Sequence, residues 1–150
     1  MRSKFNLTIN NNNLATQVSE IINSGNQRYY PLTPGSIISS PINFIIELDM
    51  EKVIGVIGLH KKSCNVTELK YLCVHEDYRN RGIGEKLLRL GIISSSTILV
   101  YGMVRSTNYV NIKNNFKVGM IPIAKYRSRS CDIIIFARRR NNVSRRTTNY

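Results

Sequence analysis

The chain lacks several features that would assign it to a common class of protein. Its 150 residues include no tryptophan, two histidines, His60 and His75, and three cysteines, Cys64, Cys73 and Cys131. The cysteines form no Cys-x-x-Cys pair and have no metal-ligand spacing with either histidine. We therefore expect reduced thiols, no metal site and a reducing compartment, with the cysteines acting as small apolar side chains.

Long apolar runs are also missing. No stretch approaches the roughly twenty apolar residues that a transmembrane helix needs, and the polar N-terminus has no hydrophobic region typical of a signal peptide. We expect a cytoplasmic protein with no membrane partner. The frequent asparagine and isoleucine are typical of an AT-rich genome, which favours a bacterial cell or a virus-infected host cell.

Acidic residues are scarce relative to basic ones. The chain has 22 Lys and Arg against 9 Asp and Glu, a formal charge of +13, and residues 125–150 hold eight basic side chains and one acidic side chain. This basic end predicts a polyanionic partner such as nucleic acid, although a tail that only aids solubility is an alternative. The arginines concerned are Arg138, Arg139, Arg140, Arg145 and Arg146.

The length suits one domain, which we place at residues 1–138, followed by a flexible basic tail at residues 139–150. Apolar spacing predicts a first helix from about 13 to 23. The stretch 30–41 carries three prolines and a glycine, so we expect an irregular loop there. β-Branched runs around a polar turn predict a hairpin over residues 42–60.

The most informative segment is the turn Arg79-Asn80-Arg81-Gly82-Ile83-Gly84, between a β-like run ending at Val74 and an apolar helical pattern. Glycines let the backbone turn sharply and approach a ligand closely. The first N–H groups of a helix have no internal partner, so they bind phosphate readily. The turn therefore predicts a phosphorylated ligand at residues 79–85, unless the glycines serve turn geometry alone.

This segment resembles the signature of the GNAT superfamily of acetyl-CoA-dependent N-acetyltransferases. The family pattern R/Q-x-x-G-x-G/A matches at Arg79, Gly82 and Gly84. Two rival phosphate-binding motifs fit less well, because the dinucleotide fingerprint needs a third glycine where Leu87 stands and the P-loop needs an absent Gly-Lys-Ser/Thr.

The resemblance implies an α/β fold with a mixed, centrally splayed sheet of about six to seven strands flanked by helices. A strand-like run at 97–104 is followed by Asn108, which would start a short helix that Val118-Gly119-Met120 would close. Here Met120 replaces the usual phenylalanine. The last two strands are expected at 120–126 and 131–137.

The resemblance also implies that acetyl-CoA binds along this motif. The backbone of the strand end would pair with the pantetheine arm, and the N–H of Leu72 would face the thioester oxygen. Backbone N–H groups of the turn and the Arg79 side chain would bind the pyrophosphate. The implied cofactor-binding residues are Leu72, Cys73, Val74, Arg79, Arg81, Gly82, Ile83, Gly84, Glu85 and Asn108.

Glu68 is the candidate general base. It lies four residues before Leu72, so strand alternation would put both side chains on one face. By resemblance it also occupies the position of the catalytic glutamate in histone-acetylating family members. The alternative is an exposed strand carboxylate that pairs with Lys61, Lys62 or Lys70.

The general acid is not assigned by the resemblance. The family commonly places a tyrosine four residues before the glycine of its Leu-Gly-Phe sequence, and here that position is Asn115. An amide cannot protonate a thiolate, so Tyr101, Tyr109 or Tyr126 would have to reach the sulfur, or solvent would protonate it. The histidines are candidate proton carriers, but a packed or solvated role is commoner.

Together these features predict direct acetyl transfer from acetyl-CoA to a primary amine. The basic charge favours an amine borne on or near nucleic acid, such as aminoacyl-tRNA, a modified base or a ribosomal protein. The alternative is a catalytically inactive nucleic-acid-binding protein that keeps the fold, which the replacement at Asn115 would fit. An exposed edge strand would also allow a homodimer.

Overall fold

The computed structural model of the chain describes residues 1–7, 9–25 and 30–140. Its elements are β1 (Arg2–Leu7), α1 (Asn12–Gly25), α2 (Pro34–Ile38), β2 (Asn43–Asp49), β3 (Lys52–Lys61), β4 (Val66–Val74), a 3-10 turn (Glu76–Tyr78), α3 (Ile83–Ser94), β5 (Leu99–Arg105), α4 (Tyr109–Lys117), β6 (Ile121–Arg127) and β7 (Asp132–Arg139). None of the helices in this described part of the chain is long and apolar enough to cross a bilayer.

The seven strands form one mixed sheet in the order β1-β2-β3-β4-β5-β7-β6. The β4–β5 pair is parallel, and the other pairs are antiparallel. The predicted mixed α/β sheet flanked by helices is therefore confirmed, with seven strands.

An apolar cluster lies on each face of the sheet. On one face α1 packs through Val18 and Ile22 against Phe44 of β2 and neighbouring side chains. On the other face α3 packs through Leu87 against a cluster that includes Ile57 of β3. Helices cover β2 and β3 on both sides, so the apolar runs Phe44–Ile46 and Val53–Leu59 are buried.

The sheet opens at its centre. The pairing of β4 with β5 ends at Leu69 and Gly102, yet β4 continues to Val74 and β5 to Arg105. The two strands therefore diverge and leave a gap between their C-terminal ends. This gap is the central splay that the sequence predicts.

A bulge in β4 changes which side chains share a face. Tyr71 has a φ of 55°, and Tyr71 and Leu72 together oppose Ile57 of β3. Leu72 packs with the α3-side cluster that contains Leu69. Glu68 alternates with Leu69 and therefore faces the opposite side of the sheet. The expectation that Glu68 and Leu72 share a face is wrong, because the extra residue reverses the alternation.

Three N-terminal features differ from the sequence-based expectation. The short strand β1 was not predicted, and α1 extends beyond the predicted range 13–23. The predicted loop 30–41 contains α2. Its N-cap Thr33 accepts a hydrogen bond from the Ser36 N–H at 3.1 Å, and Pro34 occupies the first turn.

The C-terminal boundary also differs from the prediction. Strand β7 includes Arg139, and the Arg140 N–H donates to the Ile98 carbonyl at 2.7 Å. The ordered fold thus extends two residues into the predicted tail, because main-chain pairing with β5 continues past Arg138. Residues 141–150, which include Arg145 and Arg146, lie outside the described residues.

Candidate active site

The glycine-rich turn has the geometry of an anion-binding helix start. Gly82 is the N-cap of α3 at a φ of 75°, a left-handed conformation that favours glycine. The first helical bond runs from the Lys86 N–H to the Gly82 carbonyl at 3.0 Å. The N–H groups of Ile83, Gly84 and Glu85 precede that bond and have no carbonyl partner within the helix. They are available to a ligand.

The two arginines of the turn have different surroundings. Arg79 lines the cavity beside the turn, and its Nε donates to the Val74 carbonyl at 3.3 Å. The Arg81 guanidinium lies over the Tyr78 ring at 5.0 Å and donates to the Asp77 carbonyl at 3.1 Å. Arg79 is therefore placed to contact a ligand, whereas the Arg81 side chain stabilises the turn.

A cavity of about 630 Å³ runs between the turn, the end of β4 and α4. Every predicted cofactor residue except Arg81 lines it. These lining residues are Leu72, Cys73, Val74, Arg79, Gly82, Ile83, Gly84, Glu85 and Asn108. The fold thus brings together residues that the sequence separates by more than thirty positions.

One carboxylate lies beside the expected phosphate position, and basic groups neutralise it. Glu85 pairs with Arg89 at 2.9 Å and with Lys117 at 3.4 Å. The hydrogen bond from Arg89, followed by that from Lys117, lowers the pKa of Glu85 below its usual range. Lys113 and Lys117 also line the cavity. The surroundings therefore suit a polyanionic cofactor.

A second cavity, of about 670 Å³, fills the gap between β4 and β5. It shares the lining residues Gly25, Leu72, Asn108 and Asn111 with the first cavity. Asn108 caps α4 through a hydrogen bond from the Asn111 N–H at 3.1 Å, which fixes this shared wall. The two cavities therefore form one channel from the glycine-rich turn into the sheet.

The end of β4 presents its main chain to this channel. The His75 N–H donates to the Ile54 carbonyl of β3 at 2.9 Å, so the main-chain groups of His75 and, by alternation, Cys73 point toward β3. Those of Leu72 and Val74 then point into the gap. The expected position of the Leu72 N–H agrees with this geometry.

Glu68 is buried and already engaged. Its side chain lies 3.7 Å from the Lys62 ammonium and 3.9 Å from that of Lys70, and Lys61 is not a partner. Tyr101 donates a hydrogen bond to Glu68. Burial is the main cause that raises the pKa of Tyr101 above its ordinary value, and the charge of Glu68 raises it further. Glu68 does not line either cavity, although Lys70 does. The alternative interpretation, an exposed carboxylate paired with lysines, is therefore confirmed for the pairing with Lys62 and Lys70 and wrong for the exposure.

Of the positions considered for the general acid, Asn115 lines the gap, but its amide cannot protonate a thiolate. Asn115 is 2% exposed, and its amide donates to the Asn111 carbonyl at 2.8 Å. Tyr109 is exposed, and the Tyr126 hydroxyl donates to the sulfur of Met103 at 3.6 Å. None of the three candidate tyrosines lines the described part of either cavity.

Several lining residues escaped the sequence analysis. Tyr71 and Lys70 line the gap from β4, and Arg105 lines it from β5. No sequence signal marks them, because they meet only when the strands diverge. Lys113 and Lys117 had a signal, since their i, i+4 spacing after Asn108 predicts one helical face. Among the described residues, no group of three His, Cys, Asp or Glu side chains could hold a metal ion.

Comparison with protein families gives one match. Residues 40–116 match the family described as the acetyltransferase (GNAT) domain, which spans half of the chain. A search of curated proteins by sequence finds no significant match.

Solved structures share the fold at low sequence identity. The structure of yncA from Salmonella typhimurium, with its cofactor acetyl-CoA, has a TM-score of 0.79 and 13% identity, and the match covers 94% of each chain. An aminoglycoside 6′-N-acetyltransferase complexed with coenzyme A has a TM-score of 0.75 and 16% identity, covering 93% of this chain and 97% of that one. A ribosomal-protein-alanine N-acetyltransferase from Brucella melitensis has a TM-score of 0.73 and 11% identity, covering 93% and 99%.

Proposed function

The chain belongs to the GNAT acetyltransferase family, and we propose that it transfers acetyl from acetyl-CoA directly to a primary amine at the gap between β4 and β5. The channel that joins the glycine-rich turn to this gap is the observation that carries the proposal. Acetyl-CoA, the family's cofactor, supplies an activated thioester. The channel offers phosphate-binding groups at one end and, at the other, the Leu72 main chain, which points into the gap.

Different residues along the channel bind different parts of acetyl-CoA. The N–H groups of Ile83, Gly84 and Glu85, with the Arg79 side chain, hold the pyrophosphate at the helix start. The N–H of Leu72 donates a hydrogen bond to the thioester oxygen as negative charge develops there, and so acts as an oxyanion hole.

Proton transfer completes the chemistry. The reaction forms a C–N bond and breaks a C–S bond. The ammonium loses one proton before it attacks, its nitrogen loses a second as the amide forms, and the departing thiolate takes up one proton. Glu68 is the proposed proton acceptor, acting through a water molecule, since it is the carboxylate next in sequence to the cavity-lining Leu69 and Lys70. Solvent in the open channel protonates the thiolate.

Calorimetric titration with acetyl-CoA tests the cofactor site. Substitution of Gly82→Asp with Gly84→Asp puts negative charge and side-chain bulk where the pyrophosphate docks, so we expect binding to be lost. Gly35→Ala is the matched control, because a Cβ at Gly35 lies 3.8 Å from its nearest neighbour, the Thr33 hydroxyl oxygen. Absence of binding by folded wild-type protein would contradict the proposal.

The role of Glu68 needs a separate variant. We expect Glu68→Gln to lower kcat by about a hundredfold, within the range of general-base removal, with little change in acetyl-CoA affinity. The measurement is release of free thiol from acetyl-CoA in the presence of an amine acceptor. Unchanged turnover at neutral pH would remove Glu68 from the mechanism.

The charge of the chain supports an acceptor amine borne on or near nucleic acid. Three groups of this class are aminoacyl-tRNA, a modified base and a ribosomal protein, and one structural neighbour is a ribosomal-protein-alanine acetyltransferase. The formal charge of +13 favours such a partner. Arg139 is exposed at the end of β7, whereas Arg138 donates to the Val118 carbonyl at 2.6 Å and Arg140 to the Ile93 carbonyl at 3.4 Å. Filter binding of RNA over a salt series tests this, and salt-independent binding would contradict it.

A further inference from the structure

The charged side chains that line the cavity between β4 and β5 are basic. Lys70 lies on its β4 wall and Arg105 on its β5 wall, where the two strands diverge. Among the described residues that line it, none is aspartate or glutamate. The remaining lining is apolar or neutral. The place where an acceptor must reach the thioester is therefore cationic.

The carboxylate nearest to this lining does not cancel its charge. Glu68 lies 3.9 Å from the Lys70 ammonium and 3.7 Å from that of Lys62, so two ammonium groups share one carboxylate. The Lys70 ammonium also lies 5.3 Å from the centre of the Tyr71 ring, and both residues line the cavity. With Arg105 included, this group of four charged side chains carries a net positive charge.

A cationic lining selects against some acceptors and for others. A polyamine or an aminoglycoside brings further positive charges, which would meet Lys70 and Arg105 with no carboxylate to bind them. An amine that carries an anionic group would form charge-assisted hydrogen bonds with the same side chains. The difference acts close to the reacting nitrogen, where water is partly excluded and charge interactions are strong.

We propose that the acceptor is an amine that carries a carboxylate or phosphate group, and that Lys70 and Arg105 bind that group. This inference rests on the proposed acetyl transfer and defines its substrate class. It separates this chain from the aminoglycoside acetyltransferase that shares its fold. The amine and the anionic group need only a few bonds between them, since both side chains line the same cavity as the Leu72 N–H.

A matched series of small amines tests the proposal. All four probes carry an amine at one end of a three-carbon chain, and they differ in the group at the other end: 3-aminopropyl phosphate, 4-aminobutyrate, 3-aminopropanol and 1,3-diaminopropane, whose second group is another amine. Thiol release from acetyl-CoA gives kcat/KM for each. We expect the two anionic probes to exceed the neutral alcohol by about tenfold, as one charge-assisted hydrogen bond predicts, and the diamine to be the poorest. The faster of the two anionic probes identifies the preferred group as phosphate or carboxylate.

Variants assign the effect to the two side chains. Lys70→Gln and Arg105→Gln should each raise the KM for the anionic probes several-fold. The KM for 3-aminopropanol should change less than about twofold. Lys61→Gln is the matched control, because it removes the same charge from an exposed position at the end of β3 outside both cavities. It should leave the ranking of the probes unchanged.

The outcomes separate this inference from the proposed function. Preference for the anionic probes that is lost in the two variants supports the inference. Equal rates for all probes, a preference for the diamine, or no transfer to either anionic probe despite acetyl-CoA binding would overturn it and leave the cofactor site in place. Failure of the wild-type protein to bind acetyl-CoA in calorimetry would instead remove the proposed function.

Discussion

The two sides of the central gap are built differently. The closed half, β1 to β4, is sandwiched between α1 with α2 on one face and α3 on the other, and Val53 to Leu59 of β3 are buried throughout. The open half, β5 to β7, has α4 on one face, and every residue of the edge strand β6 is exposed. Ile121 and Ile123 are 61% and 57% exposed.

This difference assigns separate tasks to the halves. The closed half buries most of the core and holds β4, whose end positions the Leu72 N–H and the turn. The open half carries the more accessible and more basic surface. Rigid support on one side and access on the other is what a transfer between two bound molecules requires.

The largest expected effect is on the free energy of unfolding, when the same substitution, isoleucine to alanine, is made in each half. Ile45 of β2 is fully buried, whereas Ile123 of β6 is mostly exposed. Ile45→Ala should lower the free energy of unfolding by about 3 kcal/mol through lost burial and a residual cavity, whereas Ile123→Ala should change it by less than about 0.5 kcal/mol. Urea denaturation measures both. A similar loss of unfolding free energy in both variants would mean that β6 is covered in solution and that the two halves do not differ in burial.

Sequence reasoning succeeded where the signal is local. The strands β2 to β4 alternate or run apolar for seven or more residues, and the turn 79–85 carries its glycines and arginine side by side. It failed for β1, which is short and partly charged, and for α2, which has five residues and no periodicity. Thr33 and Pro34 did signal a helix start, but three prolines within residues 30–41 favoured a loop.

The site was predicted less well, because part of it depends on pairing between distant strands. Residue alternation placed Glu68 and Leu72 together, and a single bulge at Tyr71 separated them. The contact between Glu68 and Tyr101 follows from their register in β4 and β5. The secondary-structure propensities of the individual residues do not determine this register. Arg139 and Arg140 were assigned to a tail because composition alone cannot show where a strand ends.

A smaller effect separates two neighbouring arginines of the open half. Arg138 donates to the Val118 carbonyl at the end of α4, at 2.6 Å, whereas no such bond fixes Arg139 among the described residues. Arg138→Gln should lower the free energy of unfolding by about 1 kcal/mol, as loss of a charged, partly buried hydrogen bond predicts. Arg139→Gln should be nearly neutral for stability and should weaken RNA binding. Urea denaturation and filter binding measure the two effects, and the reverse assignment would place Arg138 in a nucleic-acid surface.

The smallest effect concerns Tyr101, which lies where the two halves meet. Burial and the Glu68 carboxylate raise its pKa in the folded protein above the ordinary value in the unfolded chain. Its contribution to stability is therefore fully present below about pH 10, the ordinary tyrosine pKa, and is lost as the pH rises through the raised value. Tyr101→Phe should remove one late-ionising tyrosine from the alkaline absorbance titration and leave Tyr78, whose pKa is raised by its hydrogen bond to Asp49. The stability difference between wild type and Tyr101→Phe should shrink above pH 10. If the substitution instead removes a tyrosine that ionises at the ordinary pKa, solvent reaches the seam and β4 and β5 already diverge below Glu68.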